Sequence, residues 1–296
     1  MSIEETDIFK SIPNKHPMNG LIAPLFAGHN NIKERMEGTA FLIAPRFALT
    51  AKHVIAEYLE SIQNFRVEEH SKPGAHHKGK LAFCMFMPVL SKRGQKIPLV
   101  IEGTYFCGFG DIALLRLRLG NKKDNWKDLG PYPSLNLIPP KVGSKISSLG
   151  FPNSSTKRND ENVVELHTWP RISYGAVKEV HKDRRDSLLL NYPCFQVNAQ
   201  LYGGMSGGPV LDKSGSICGL VSKSYDLLPG EEPIGYAASL WPSGMIPLND
   251  LPRKTNDTFR LIDLYKSKRV KVNDLHNVRG CLDKNGKFFM QANPDA

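Results

Sequence analysis

Apolar positions in this chain come in short runs that glycine, proline or charge interrupts within a few residues, the pattern of strands and turns rather than of long helices. Gly38 to Val54 reads as two short strands separated by a turn at Ala44-Pro45-Arg46. A single helical turn, Ala51 to Ala56, follows, so that His53 falls where strand gives way to helix. Gly110 to Leu117 is a mostly apolar strand opened by one carboxylate, Asp111. Lys145–Gly150 and Ile217–Val221 read as further strands. Asn121 to Pro139 is a polar, proline-containing connection, and Pro152 to Glu161 a polar insertion of the kind that borders a cleft. Near the C-terminus, Thr258 to Lys268 suits a short helix. Asp283-Lys284-Asn285-Gly286-Lys287, between apolar residues, is a hairpin signal.

Composition agrees with that pattern. Among 296 residues, 41% are hydrophobic, enough for a sizeable core, and 21 prolines with 25 glycines suit a turn-rich β protein with few helices. The five cysteines, Cys84, Cys107, Cys194, Cys218 and Cys281, are scattered and lack metal-ligand spacing, so a reducing compartment is the simplest expectation. The N-terminus carries acid and no apolar stretch, and no run reaches the ~18 apolar residues of a membrane span. A cytoplasmic protein that needs neither membrane nor metal nor cofactor is expected.

The chemistry concentrates in Gln200 to Val210, where Ser206 sits among four glycines and is followed by Pro209. Such a loop presents a hydroxyl together with bare backbone amides, as nucleophilic acyl transfer requires. A serine in a glycine-rich turn is equally an ordinary solvated residue. His53 alone could be a helix-start histidine satisfied by backbone, and Asp111 alone a turn residue. A partly buried Asp111 would still need donors, and an imidazole N–H is one.

Taken together, Thr50-Ala51-Lys52-His53, Asp111-Ile112-Ala113-Leu114-Leu115 and Gly204-Met205-Ser206-Gly207-Gly208-Pro209 resemble the three signatures of trypsin-like serine proteases, in the same order. The resemblance spans roughly residues 20–245. Within that family the stretches on either side of the serine loop look most like a disulfide-free bacterial branch, that of the high-temperature-requirement proteases and glutamyl endopeptidases. It implies an all-β fold of two six-stranded antiparallel barrels packed together. A first barrel over about 20–120 and a second over 141–245 would be joined by a linker at 121–140, with an N-terminal arm at 1–19 and a C-terminal extension at 246–296. It implies Ser206 as nucleophile, His53 as base, Asp111 as the group orienting the imidazole, and the amides of Gly204 and Ser206 as an oxyanion hole, with a protein or peptide as substrate.

By position in the resemblance, Gln200 and Leu201 lie near the base of the specificity pocket, Ser222-Lys223-Ser224 form one wall, and Gly235 stands near the other. No carboxylate matches the position that selects basic residues. Met205 stands where secreted zymogens place an aspartate, so activation by a new N-terminus is not expected, and the loop is either preformed or ordered by an activating protein partner. Met205 itself reads as a filler of an apolar gap beneath the loop. A net charge of +10 raises the alternative of a basic binding protein on an inactive protease scaffold. However, the basic groups at Lys72–Lys80 and Lys266–Lys271 lack interleaved aromatics and read as solvated surface, so nucleic acid is not the expected partner.

Overall fold

The computed structural model describes residues 10–13, 15–29, 32–63, 76–78, 89–90, 96–97, 99–158, 164–225, 230–248, 258–282, 284 and 288–293. Two antiparallel sheets dominate it. The first runs in the order Ile22–His29, Ile32–Ala44, Phe47–Thr50, Ala113–Leu119, Leu99–Phe106 and His76–Lys78. The second runs Arg171–His181, Lys145–Gly150, Pro209–Asp212, Ile217–Ser224, Gly235–Ser239 and Cys194–Val197. Its last strand pairs back onto its first, from Val177↔Val197 to His181↔Cys194, and closes a six-stranded barrel. The all-β, chymotrypsin-like architecture expected from the sequence is the one observed.

Local sequence accounts for how these strands are cut. Arg46 takes a left-handed φ of 71° in the turn between Ile32–Ala44 and Phe47–Thr50. Strand Ile217–Ser224 is apolar on both faces because both are covered: Cys218 and Val221 point into the closed barrel, while Ile217 and Leu220 join the larger core. That larger core runs without a break from Leu42 and Leu115 of the first sheet, through Leu149 and Leu220 of the second, to Leu261 and Tyr265 near the C-terminus.

The structure changes three of the sequence expectations. The single turn at Ala51–Ala56 is the start of a twelve-residue helix, Lys52–Gln63, which the burial of Val54, Ile55 and Leu59 along one face sustains. The helix expected over Thr258–Lys268 is shorter, Leu261–Lys266, and its start is fixed by Arg260 N–H donating to Asp263 Oδ2 at 2.8 Å. The connection between the barrels is not simply a solvated linker. Leu135 and Leu137 are fully buried, and Asp274 accepts from the amides of Leu137 (2.7 Å) and Ile138 (2.9 Å). The C-terminal segment thus clamps the linker against the second barrel.

Residues 10–11 of the N-terminal arm pair with Arg171 and Ile172, adding a short strand to the second barrel's edge. The polar insertion after Pro152 forms a strand pair, Ser155–Arg158 with Val164–His167, and residues 159–163 between them lie outside the described residues. At the C-terminus, Val278–Leu282 pairs with Phe288–Ala292, as the hairpin signal requires. Most of the turn itself lies outside the described residues, as do Lys72–Ala75 and Gly79–Lys80 of one basic group.

Candidate active site

The site is assembled where the two sheets meet. Asp111 precedes strand Ala113–Leu119 and is only 7% exposed, so its carboxylate needs donors. Three are present. His53 N–H donates to Asp111 Oδ1 at 2.9 Å, His53 Nδ1 lies 2.8 Å from Oδ2, and Ser222 Oγ donates to Oδ2 at 2.5 Å. The first two contacts hold the imidazole by its ring and by its backbone. With Nδ1–H donated to Asp111, the neutral ring leaves Nε2 as an acceptor.

The electrostatics of His53 follow from this. Burial pushes its pKa down, but the charge of Asp111 and the hydrogen bond to it outweigh burial, with help from Glu57 and against the opposing charge of Lys223. The net displacement is upward from the ordinary histidine value.

The glycine-rich loop is docked onto the first sheet by backbone contacts. Thr39 N–H donates to Ser206 O at 2.8 Å, and Thr39 Oγ1 donates to Gly204 O at 2.7 Å. Two glycines are required here. Gly204 has φ of 92° and Gly207 of 81°. A Cβ on Gly207 would collide with Thr50 Oγ1 and Thr39 O and stand 2.7 Å from Ala51 N. A Cβ on Gly38 would meet both Ser206 O (2.7 Å) and Val54 Cγ2 (2.8 Å). The loop is thus pressed, at Gly207, against Thr50 and Ala51 just ahead of His53. Among the described residues no hydrogen bond yet joins Ser206 Oγ to His53.

The amides of the loop fall into two groups. Met205 N–H donates to Tyr202 O, Gly207 N–H to Val221 O and Gly208 N–H to Met205 O. Among the described residues, the N–H groups of Gly203, Gly204 and Ser206 donate to no backbone acceptor. Met205 is fully buried in the second barrel's core, filling the apolar space beneath the loop. A cavity of about 540 Å³ adjoins the His53–Asp111 pair, walled by Phe109, Tyr192, Trp241, Met245, Phe289 and Met290.

A family model for the trypsin-like peptidase domain matches residues 38–220, which takes in His53, Asp111 and Ser206. The chain belongs to that family. As a trypsin-like peptidase it is a hydrolase of peptide bonds, and protein or peptide is its class of substrate. Among solved structures it is similar to the active form of the Rv3671c protease from M. tuberculosis, at 14% identity and a TM-score of 0.45, over 81% of this chain and 88% of that one. The inactive Ser343Ala mutant of the same protein aligns at 14% identity and a TM-score of 0.43, over 79% and 90% of the two chains. No curated protein matches the sequence.

The residues expected at the specificity pocket of this trypsin-like domain are distributed unevenly. Leu201 is buried in the second barrel's core, against Gly235, where an added Cβ would strike its Cδ1. Gln200 Nε2 donates to Tyr202 Oη at 2.9 Å. Ser222, expected in a wall, has its hydroxyl turned to Asp111 instead, while Lys223 is half-buried and Ser224 exposed. Thr39, Tyr192 and the C-terminal pair Phe289–Met290 were not legible as site residues. Each reaches the site through contacts distant in sequence, and none lies within one of the three motifs.

Proposed function

We propose that this trypsin-like peptidase is a serine endopeptidase that works through an acyl-enzyme intermediate. In this reading Ser206 Oγ attacks the scissile carbonyl, and His53 Nε2 takes its proton and later returns it to the leaving amine. Asp111 holds the ring in the tautomer that leaves Nε2 free and stabilises the imidazolium as it forms. The observation that carries the reading is the double hydrogen bond from His53 to the buried Asp111, made beside a serine loop whose Gly207 lies against Thr50 and Ala51, just ahead of His53. Bonds between a nucleophile and its base are commonly long in unliganded enzymes and tighten once substrate is bound, which is when the Ser206–His53 contact is required.

The negative charge that develops on the carbonyl oxygen would be received by the amides of Gly204 and Ser206. Their lack of a backbone acceptor among the described residues supports an oxyanion hole that is formed before substrate arrives. That favours a preformed loop over one that a protein partner must order. The side chain preceding the scissile bond would be read by Gln200, Leu201, Lys223, Ser224 and Gly235. Leu201 contributes to a closed floor rather than to an open one.

The test is kinetic. Ser206→Ala is expected to lower kcat on a peptide substrate by a factor on the order of 10⁶, His53→Ala by a similar factor, and the double change by little more, because the two act as one unit. Losses that multiplied in full would contradict the assignment.

A further inference from the structure

The hydrogen-bond chain at Asp111 does not end with Ser222. Tyr192 Oη lies 2.5 Å from Ser222 Oγ. A serine hydroxyl has one hydrogen and two lone pairs. Its hydrogen is committed to Asp111 Oδ2, so the tyrosine must be the donor to Ser222. Its proton is secure: burial first, and the charge of Asp111 second, hold the phenol neutral well above its usual range. The sequence of donations is therefore Tyr192 to Ser222, Ser222 to Asp111, and His53 Nδ1–H to the same carboxylate.

We propose that Tyr192 is a positioning residue for the reaction at Ser206, fixing the Ser222 hydroxyl so that the Asp111 carboxylate keeps its orientation toward His53. This rests on the serine endopeptidase reading. The hydrogen-bond chain crosses between the two sheets: Ser222 lies on strand Ile217–Ser224 and Tyr192 just ahead of Cys194–Val197 in the second, while Asp111 just precedes Ala113–Leu119 and His53 just follows Phe47–Thr50 in the first. It thereby ties the geometry of the base to the barrel that carries the nucleophile.

The segment that presents Tyr192 is built to be stiff. Asp186 Oδ1 accepts from the amides of Leu188 (2.9 Å), Leu189 (2.6 Å) and Leu190 (3.2 Å). Those bonds, from Leu189 foremost, draw the Asp186 carboxyl down to about 2. Arg185 N–H donates to Leu190 O at 3.0 Å, and Ser239 N–H donates to Pro193 O at 3.0 Å, pinning the segment on both sides of the tyrosine. The ring packs on a buried cluster of Leu190, Cys194 and Tyr236. A hydroxyl held this way strengthens the next bond in the chain by polarising it.

Each donor to Asp111 reduces the charge it offers the imidazolium. Removing the Tyr192 hydroxyl weakens the donation from Ser222, leaves more of the carboxylate's charge facing the imidazolium and raises the His53 pKa further. The other titratable groups that face His53, Glu57 and Lys223, and those that face Tyr192, namely Asp111, Cys194 and Tyr225, are unchanged by a Tyr192→Phe substitution.

The experiment follows the rate at which a fluorophosphonate probe modifies Ser206 in the full chain, from about pH 5 to about pH 9, so as to span the histidine titration. It compares the native chain with Tyr192→Phe, Ser222→Ala and the double variant. Tyr192→Phe is expected to slow the plateau by about three- to tenfold and to move the acid limb upward by a few tenths of a pH unit. Ser222→Ala should do more in the same direction. The double variant should match Ser222→Ala, because the tyrosine acts only through that serine. An unmoved acid limb in Tyr192→Phe, or a tyrosine effect that adds in full to that of Ser222→Ala, overturns the proposal, whatever happens to thermal stability. Titration of the His53 ring by NMR in a Ser206→Ala background reads the same upward shift without needing reaction, and an unshifted ring there overturns it too. If the native chain is not labelled at all, the endopeptidase reading has failed, and the NMR titration still decides the role of Tyr192.

Discussion

At the scale of single residues, the site turns on how a buried carboxylate is satisfied. Asp111 receives hydrogen bonds from His53 twice and from Ser222 once, and the charge left on it raises the His53 pKa despite burial. Only neutral imidazole can take a proton, so the rate should climb with pH through a midpoint above the ordinary ~6.5 of histidine. A pH profile of kcat/KM checks this, and a flat profile or a midpoint below ~6.5 contradicts it. The same shift has the opposite sign for stability. The protonated ring's contribution is complete below the unfolded pKa and is lost as pH rises through the higher folded value. Three cysteines are silent by contrast. Burial pushes Cys107 up to about 11 and Cys194 up to about 12, and Cys218 is raised as well. All three should resist alkylation at neutral pH in the folded protein, which mass spectrometry after iodoacetamide treatment would read.

At the scale of elements, the decisive contact is the docking of the glycine-rich loop on the strand that carries Thr39. One side chain serves both sheets: Thr39 Oγ1 donates to Gly204 O at 2.7 Å and accepts from Phe151 N–H at 3.3 Å. Thr39→Val keeps the shape and deletes both bonds. We expect it to destabilise the fold by about 1–3 kcal/mol, as a denaturant titration would measure, and to slow reaction at Ser206 more than stability alone explains. Gly207→Ala should be worse, because its Cβ has no room between Thr39 and Thr50 and its φ of 81° disfavours any side chain. The pairing of His53 with Asp111 could be anticipated from the sequence, because each lies in a short local motif whose residue types state the chemistry. The roles of Thr39 and Tyr192 could not, because they depend on partners far along the chain. The Lys52–Gln63 helix was underestimated for a related reason: the neighbours that bury Val54, Ile55 and Leu59 are supplied by the fold rather than by the segment.

At the scale of the molecule, one apolar core runs through both sheets and into the C-terminal segment, so that segment is part of the folded body. Its hairpin is seated by Met290, which is 3% exposed, lies over Gly244 and donates its N–H to Met245 Sδ at 3.2 Å. Met290→Ala should cost about 2–5 kcal/mol on thermal or denaturant unfolding, the range for emptying a buried methionine site. The strand pattern, the turn-rich composition and the order of the three motifs made the all-β architecture readable beforehand. The packing of the C-terminal residues on the interbarrel connection was not, because Leu135 and Leu137 look like minor apolar positions in a polar stretch until Asp274 and the backbone of Lys271 to Asn273 close over them.

An activated Ser206 hydroxyl reacts covalently with electrophiles that ordinary serines ignore. Treatment of the purified chain with a fluorophosphonate probe, beside Ser206→Ala and followed by mass spectrometry of the digested adduct, should place one modification on Ser206 and none in the variant. Absence of labelling in the native chain, or an adduct that persists in Ser206→Ala, would contradict the account.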